Sequence, residues 1–287
     1  MCYIIKQAAL PAIWVKGIKI MQTQQMLSNS DLVRLAPSIG ATMPYKDVSD
    51  KYQFLHTLDV VDLLRTEGWY PAKVQEVKSR GDKIGFQKHL IRFRHPNLIK
   101  GNEFIETVMI NSHDRSIAYQ FLMGVYRMVC ANGMIVGDTF QKVSVKHIGI
   151  KPEEVIEASY RIIETAPMIS ESMSAMKQIT LNDKEKMIYA ESANDIVYGR
   201  DDANNSLSPI ESWKLLVPRR EADRNNSLWS TFNIVQENVI KGGLRGRNPI
   251  TNRRTKTRQI KNIDRDVKLN KALWTLAEKM KELKIAA

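Results

Sequence analysis

Residues 103–137 read EFIETVMINSHDRSIAYQFLMGVYRMVCANGMIVG, and this stretch decides the fold. Apolar side chains crowd both sides of one polar string, residues 111–116 (NSHDRS). Phe104, Ile105, Val108 and Ile110 predict a core strand over residues 103–111. Residues 117–129 predict the next strand, with a bulge at Gly124, because a glycine inside a strand marks such a site. Residues 112–115 form the turn between them. Asn132-Gly133 predicts a second hairpin turn, since both residues tolerate positive φ, and residues 134–136 continue beyond it.

Working outward, residues 73–78 predict a strand and residues 79–82 (SRGD) a turn. Residues 83–95 predict another strand. Ile84, Phe86 and Leu90 share one parity and Ile91 and Phe93 take the other, a change that suggests a bulge near Lys88-His89. Lys83, Lys88, Arg92 and Arg94 interleave with the apolar positions, as expected of a solvated sheet face or of a strand that follows a phosphate backbone. Residues 96–102 read as a loop. Upstream, residues 28–36 predict a helix capped by Ser30 or Asp31, and Thr57 predicts the N-cap of a helix that ends at Gly68. Downstream the pattern turns helical from Pro152. Pro167 should interrupt, with further helices over residues 170–178, 184–198, 209–216, 226–241 and 266–283. The fold class is α+β: an antiparallel β-meander with flanking helices, followed by a mostly helical C-terminal half. The expected division is a loose N-terminal extension (1–27), an α+β sheet core (28–150), a helical region packed on the sheet (151–240), a basic arm (241–262) and a C-terminal helix (263–287).

The 287 residues carry a formal net charge of +12. A polyanion is the simplest partner for such an excess, with nucleic acid ahead of a membrane surface. Residues 241–261 (KGGLRGRNPITNRRTKTRQIK) concentrate it, with eight cations and no acid: Lys241, Arg245, Arg247, Arg253, Arg254, Lys256, Arg258 and Lys261. With few apolar residues, this segment is expected to be an exposed or partly disordered phosphate-binding arm. Two cysteines, Cys2 and Cys130, make no disulfide framework and suit a reducing compartment. The first twenty-odd residues contain only a short apolar run broken by Lys16 and Lys19, too short for a membrane span, and read as a loose extension.

Ser112-His113-Asp114 contains the residue types of a hydrolase triad. Consecutive residues on a turn diverge, whereas a triad needs converging side chains. Ser112 and Asp114 are better read as bonding backbone groups of their own turn, with His113 and Arg115 projecting outward to where phosphate could meet them. Scattered histidines and the absence of a Cys/His cluster leave no expected metal site or cofactor.

Three passages together resemble a known family: residues 111–116, residues 126–134 (YRMVCANGM), and Gln236-Glu237-Asn238 with Gly242-Gly243 leading through Asp264 to Trp274. On these residues the chain resembles the phage- and plasmid-encoded "domain of unknown function 932" family. Its members carry a similar SHDGS-type turn, an R-x-VC-x-NG string and a basic segment before VKLNxALW. Arg115 departs from the family, where Gly is common; the departure puts a required positive φ in question and adds a cation. The resemblance implies a mobile-element protein acting in the host cytoplasm. The element order is also similar to the core of Rad-type and phage single-strand annealing proteins. The expected function is therefore non-enzymatic nucleic-acid binding, DNA ahead of RNA, as an annealing or recombination accessory that self-associates. The sites expected are Lys83, Lys88, Arg92, Arg94, His113 and Arg115 with the basic arm. The alternative is an interaction protein that inhibits a host defence complex.

Overall fold

The apolar alternation of residues 89–136 builds one antiparallel sheet. Strands β1 (Tyr70–Glu76), β2 (His89–Lys100), β3 (Glu103–Asn111), β4 (Tyr119–Arg127) and β5 (Asn132–Ile135) lie in chain order, and β6 (Val143–Val145) pairs with the start of β4. This computed structural model describes residues 26–46, 52–79, 81–100, 102–128, 132–136, 143–145, 147 and 152–286. Most of the expected N-terminal extension, Arg80 and Cys130 lie outside the described residues.

Both faces of the sheet are covered. Ile91, Phe93, Ile105, Met109, Phe121 and Met123 enter the main core, while Leu90, Val108, Ile110, Leu122 and Ile135 form a second cluster with Ile263. All nine residues of β3 are buried. Four of the nine, Glu103, Glu106, Thr107 and Asn111, are polar, so burial on both faces here encloses charge as well as apolar side chains.

Several local expectations give way to this packing. β2 begins only at His89, after a 3₁₀ turn at residues 81–83, and Leu90 and Ile91 pair in continuous register with Ile110 and Met109. The parity change reflects burial on both faces, Leu90 in one cluster and Ile91 and Phe93 in the other, and no bulge. β2 continues through Pro96, and its register against β3 shifts between Arg94 and Ile99 to accommodate it. β4 pairs with β3 without a break from Gln120 to Arg127, so Gly124 carries no bulge. Asn132-Gly133 is not a turn: the two residues open β5 and pair with Arg127 and Tyr126.

Helix α1 (Asn29–Leu35) starts from Ser28, whose hydroxyl accepts from the Asp31 amide while the Asp31 carboxylate accepts from the Ser28 amide. In α2 (Thr57–Thr66) the N-cap is His56, and Thr57 is fully buried inside the helix. Helix α3 (Pro152–Gln178) runs unbroken for 27 residues. Pro167 lies on its exposed side, where water can serve the carbonyl that the missing N–H leaves free. Helices α4 (Asp183–Tyr198), α5 (Leu228–Lys241) and α6 (Ile263–Ala286) complete the second half.

α5 is its axle. Every residue from Leu228 to Val239 is buried. Trp274 of α6 meets Trp229 and Phe232 edge-on, at interplanar angles of 80° and 89°. Glu103 of β3 ties the two halves, accepting from Trp229 Nε1 at 2.9 Å and from Lys177 Nζ at 2.6 Å. Arg127 of β4 pairs with buried Asp223. Among the described residues no helix is long and apolar enough to cross a membrane.

Candidate nucleic-acid interface

The cations of β2 turn inward. Arg92 and Arg94, expected on a solvated face, are 1% and 5% exposed, and Glu106 between them is fully buried. Arg92 Nη1 donates to Glu106 Oε2 at 3.1 Å and to the Met134 carbonyl at 3.1 Å, and Nη2 donates to the Gly133 carbonyl at 3.2 Å. Arg94 Nε donates to Glu106 Oε1 at 2.7 Å, and its guanidinium stands 3.7 Å from the Tyr126 ring centroid. Charge can be buried here because one carboxylate serves both guanidinium groups with good hydrogen-bond geometry. A Cβ on Gly133 would lie 2.7 Å from Arg92 Cζ, so the Asn-Gly string clears space for an internal cation. Lys88 links β2 to α6 through Asp264 at 2.7 Å. Lys83 is half-exposed, 3.5 Å from Asp114.

The polar turn divides its residues. Ser112 Oγ accepts from the Ile117 amide at 3.2 Å, and Asp114 Oδ1 accepts from the Ser116 amide at 3.0 Å, which is the turn role expected of both. Arg115 is exposed and holds φ 65°, so the left-handed conformation persists without glycine. His113, expected outside, is fully buried. Its Nε2 lies 2.9 Å from the Thr57 hydroxyl, which also meets His89 Nε2 at 3.2 Å and accepts from Asn111 Nδ2 at 3.3 Å. Burial pulls His89 down to about 4. Burial, with His89 and His147 adding to it, pulls His113 down to about 3. These rings are neutral at pH 7 and present no charge to a phosphate.

The basic arm is different: it is both ordered and exposed. Residues 245–247 (β7) and 254–256 (β8) form a two-stranded antiparallel ribbon. Gly242 and Gly243, at φ 61° and 89°, turn the chain out of α5. Backbone bonds from Gly243 to Thr257 and from Thr257 to Leu244, each 2.9 Å, close the ribbon's base. At the tip, Asn248 Oδ1 accepts from the amides of Ile250 at 2.9 Å and Thr251 at 2.8 Å. The ribbon is seated on the body where the Arg247 amide donates to the Pro209 carbonyl at 2.8 Å. Gly246 is obligatory at this seat, since a Cβ there would fall 1.8 Å from Pro209 O. Residues of the family-like string hold the base: Asn238 Nδ2 donates to the carbonyls of Leu215 and Val217, and Arg220 makes a two-pronged pair with Glu237.

The register sets the electrostatics. Arg245 faces Lys256 and Arg247 faces Arg254, so all four side chains rise from one face of the ribbon. Like charges directly opposite one another destabilise a strand pair. Arg253, Arg258 and Lys261 are exposed nearby, and segment 241–261 contains no acid. Among the described residues none of these seven cations is joined to a carboxylate.

A cleft of about 700 Å³ opens where the ribbon meets residues 206–214, lined by Ser206, Ser208, Ser212, Lys214, Arg245 and Arg247 among others, and by Glu211, which pairs with Lys214 at 2.5 Å. A second, of about 390 Å³, gathers Lys256, Arg258 and Lys261 with Tyr198 and Arg265. On the adjoining surface of α4 and α6, Lys268, Lys271 and Lys279 line a third of about 470 Å³. The positive surface thus continues onto α6 through residues that the sequence analysis read only as part of a packed helix. The signal was present: Arg265, Lys268 and Lys271 recur every three residues, a helical stripe. Among the described residues no three His, Cys, Asp or Glu side chains are grouped to hold a metal ion.

Comparison with known proteins finds a matching family model and two similar proteins. The family model described as "Domain of unknown function (DUF932)" matches residues 44–274. Two relatives from Escherichia coli K12, UPF0380 protein YfjQ and UPF0380 protein YafZ, are each 34% identical over 260 residues, covering 90% of this chain and 93% of theirs. No solved structure matches.

Proposed function

The chain belongs to the DUF932 family, whose description names no activity, and from its structure we propose a non-enzymatic nucleic-acid-binding protein that grips phosphates with the cationic ribbon. One observation carries this reading: Arg245, Arg247, Arg254 and Lys256 face each other across the strands with no acid in their segment. The array opposes ribbon pairing in the free protein, and a polyanion relieves it. The finer parts of the proposal are a Rad-type annealing-like core, DNA ahead of RNA, self-association, and action in the host cytoplasm as an annealing or recombination accessory. They are supported by the order of helix, meander and long helix, and by the absence of any visible base-reading motif. Arg92, Arg94 and His113 are no part of the proposed contact surface, because they are buried.

The test is fluorescence anisotropy with labelled oligonucleotides at two salt concentrations. The expected result is sequence-independent binding, with log K falling by about 0.7 per contacted phosphate for each tenfold rise in salt on single strands. Neutralising Arg247 and Arg254 together should lower that slope by about 1–2. No binding to any oligonucleotide at low salt would reject the reading.

A further inference from the structure

We propose that Trp213 is a base-stacking platform that makes the cationic ribbon selective for single-stranded nucleic acid; this rests on the nucleic-acid reading above. The observation is a tryptophan ring left half exposed beside the ribbon. Trp69, Trp229 and Trp274 are at most 3% exposed, whereas Trp213 is 51% exposed. It sits on the 3₁₀ turn Ser212–Leu216.

That turn is held rigidly. Leu215 is buried beneath it, Asn238 of α5 donates to the Leu215 carbonyl at 2.9 Å, and Asn194 of α4 donates to Ser212 Oγ at 3.0 Å. An ordered support lowers the conformational cost of using the ring as a contact. The ring is also joined to the ribbon. Lys214 Nζ lies 5.5 Å from the Trp213 ring centroid and donates to the Arg245 carbonyl at 3.1 Å. Ser212 and Lys214, the chain neighbours of Trp213, line the same cleft as Arg245, Arg247 and Arg254. Lys214 thus bridges the ring to the Arg245 backbone, beside the cleft that Arg245, Arg247 and Arg254 line.

This pairing of features distinguishes the two forms of nucleic acid. Duplex DNA offers the ribbon its phosphates but keeps its base faces stacked inside. A single strand offers both, so its phosphates meet the arginines while an unstacked base lies on the indole. Stacking tolerates any base, in keeping with a surface that has no base-reading pattern. DNA and RNA single strands share this chemistry, so stacking on the indole does not itself choose between them.

The experiment uses the full chain and three probes: an oligothymidylate, an oligouridylate and a mixed-sequence duplex. Anisotropy titrations at low salt compare the wild type with Trp213→Ala, Trp213→Phe and the Arg247→Gln/Arg254→Gln double variant, each checked for an unchanged melting temperature. Trp213→Ala is expected to weaken single-strand binding by roughly 5- to 150-fold, the range for one stacked base, and to leave duplex binding within about twofold. Trp213→Phe should keep most of the single-strand affinity. The double variant should weaken binding to all probes. Intrinsic tryptophan fluorescence should be quenched by single strands in the wild type, and that quench should vanish in Trp213→Phe. If Trp213→Ala binds single strands as the wild type does, or loses duplex affinity equally, the stacking role is refuted while nucleic-acid binding stands. If the wild type binds none of the probes, the underlying reading fails with it.

Discussion

Arg92 shows how one residue can redirect the meaning of its neighbours. As an isolated basic residue on a strand it suggested solvent or phosphate. In the sheet it is internal, and three residues distant in sequence close around it. Glu106 supplies the opposing charge, Gly133 supplies the space and a carbonyl, and a Cβ at Gly124 would lie 3.1 Å from Arg92 Nη1. Removing the carboxylate charge deprives two buried guanidinium groups of the counter-ion they share, while Arg92 keeps its bonds to the Met134 and Gly133 carbonyls. Glu106→Gln should therefore destabilise the protein by about 3–5 kcal/mol, the range for breaking a buried ion pair. Gly133→Ala acts by crowding and should cost about 1–3 kcal/mol. Urea denaturation measures both. A Glu106→Gln midpoint equal to that of the wild type would mean that the two arginines find water or another partner.

Among the elements, the ribbon is the one whose local chemistry and tertiary support can be separated. Its pairing is local, but its position depends on the bond from Arg247 to Pro209 and on a side-chain-free Gly246. Gly246→Ala should lift the ribbon from residues 208–210 while the helices stay folded. Hydrogen exchange should then show faster exchange over residues 244–257 with little change in α5, and oligonucleotide affinity should fall because the cations no longer share a fixed face. Unchanged exchange in the ribbon would show that the chain accommodates the methyl group elsewhere. The ribbon also marks how far the sequence could be read. Gly242-Gly243 was visible as the end of a helix, and the cation run was visible as charge. What orders the segment, a carbonyl more than thirty residues upstream, leaves no local trace. The meander was legible because strand apolarity is a local property. The cover on its second face was not, since it arrives with Ile263 of α6. For the same reason Asn132-Gly133 looked like a turn: short-range φ tolerance was visible, and the guanidinium that needs the glycine was not. Register had to be known before four cations could be placed on one face.

At the scale of the whole molecule, charge is sorted by depth. The net +12 is displayed largely by the ribbon segment and α6, while the histidine-rich polar cluster beneath α2 is kept neutral. That neutrality makes stability depend on pH with a fixed sign. His89 and His113 titrate near 6.5 when unfolded, but burial holds them at about 4 and about 3 in the folded chain. Between those values the unfolded state binds more protons, so acid favours unfolding. Above pH 6.5 both states are neutral at these rings and the effect is absent. As pH falls from 6.5 towards 4, stability should decline, with a combined loss on the order of several kcal/mol. His95 and His147, also lowered by burial, push in the same direction. Lowered carboxylates such as Asp31, held at about 2 chiefly by its bond with Ser28, become relevant only at more acidic pH. Denaturant midpoints from pH 7.5 to 4.5 should therefore fall steeply below 6.5, and in a His89→Gln/His113→Gln variant most of that slope should disappear. A flat wild-type profile across this interval would mean that the cluster accepts protons without opening. Because His89 and His113 are buried and lie outside the ribbon, loss of the proposed nucleic-acid binding on acidification should follow unfolding and not precede it.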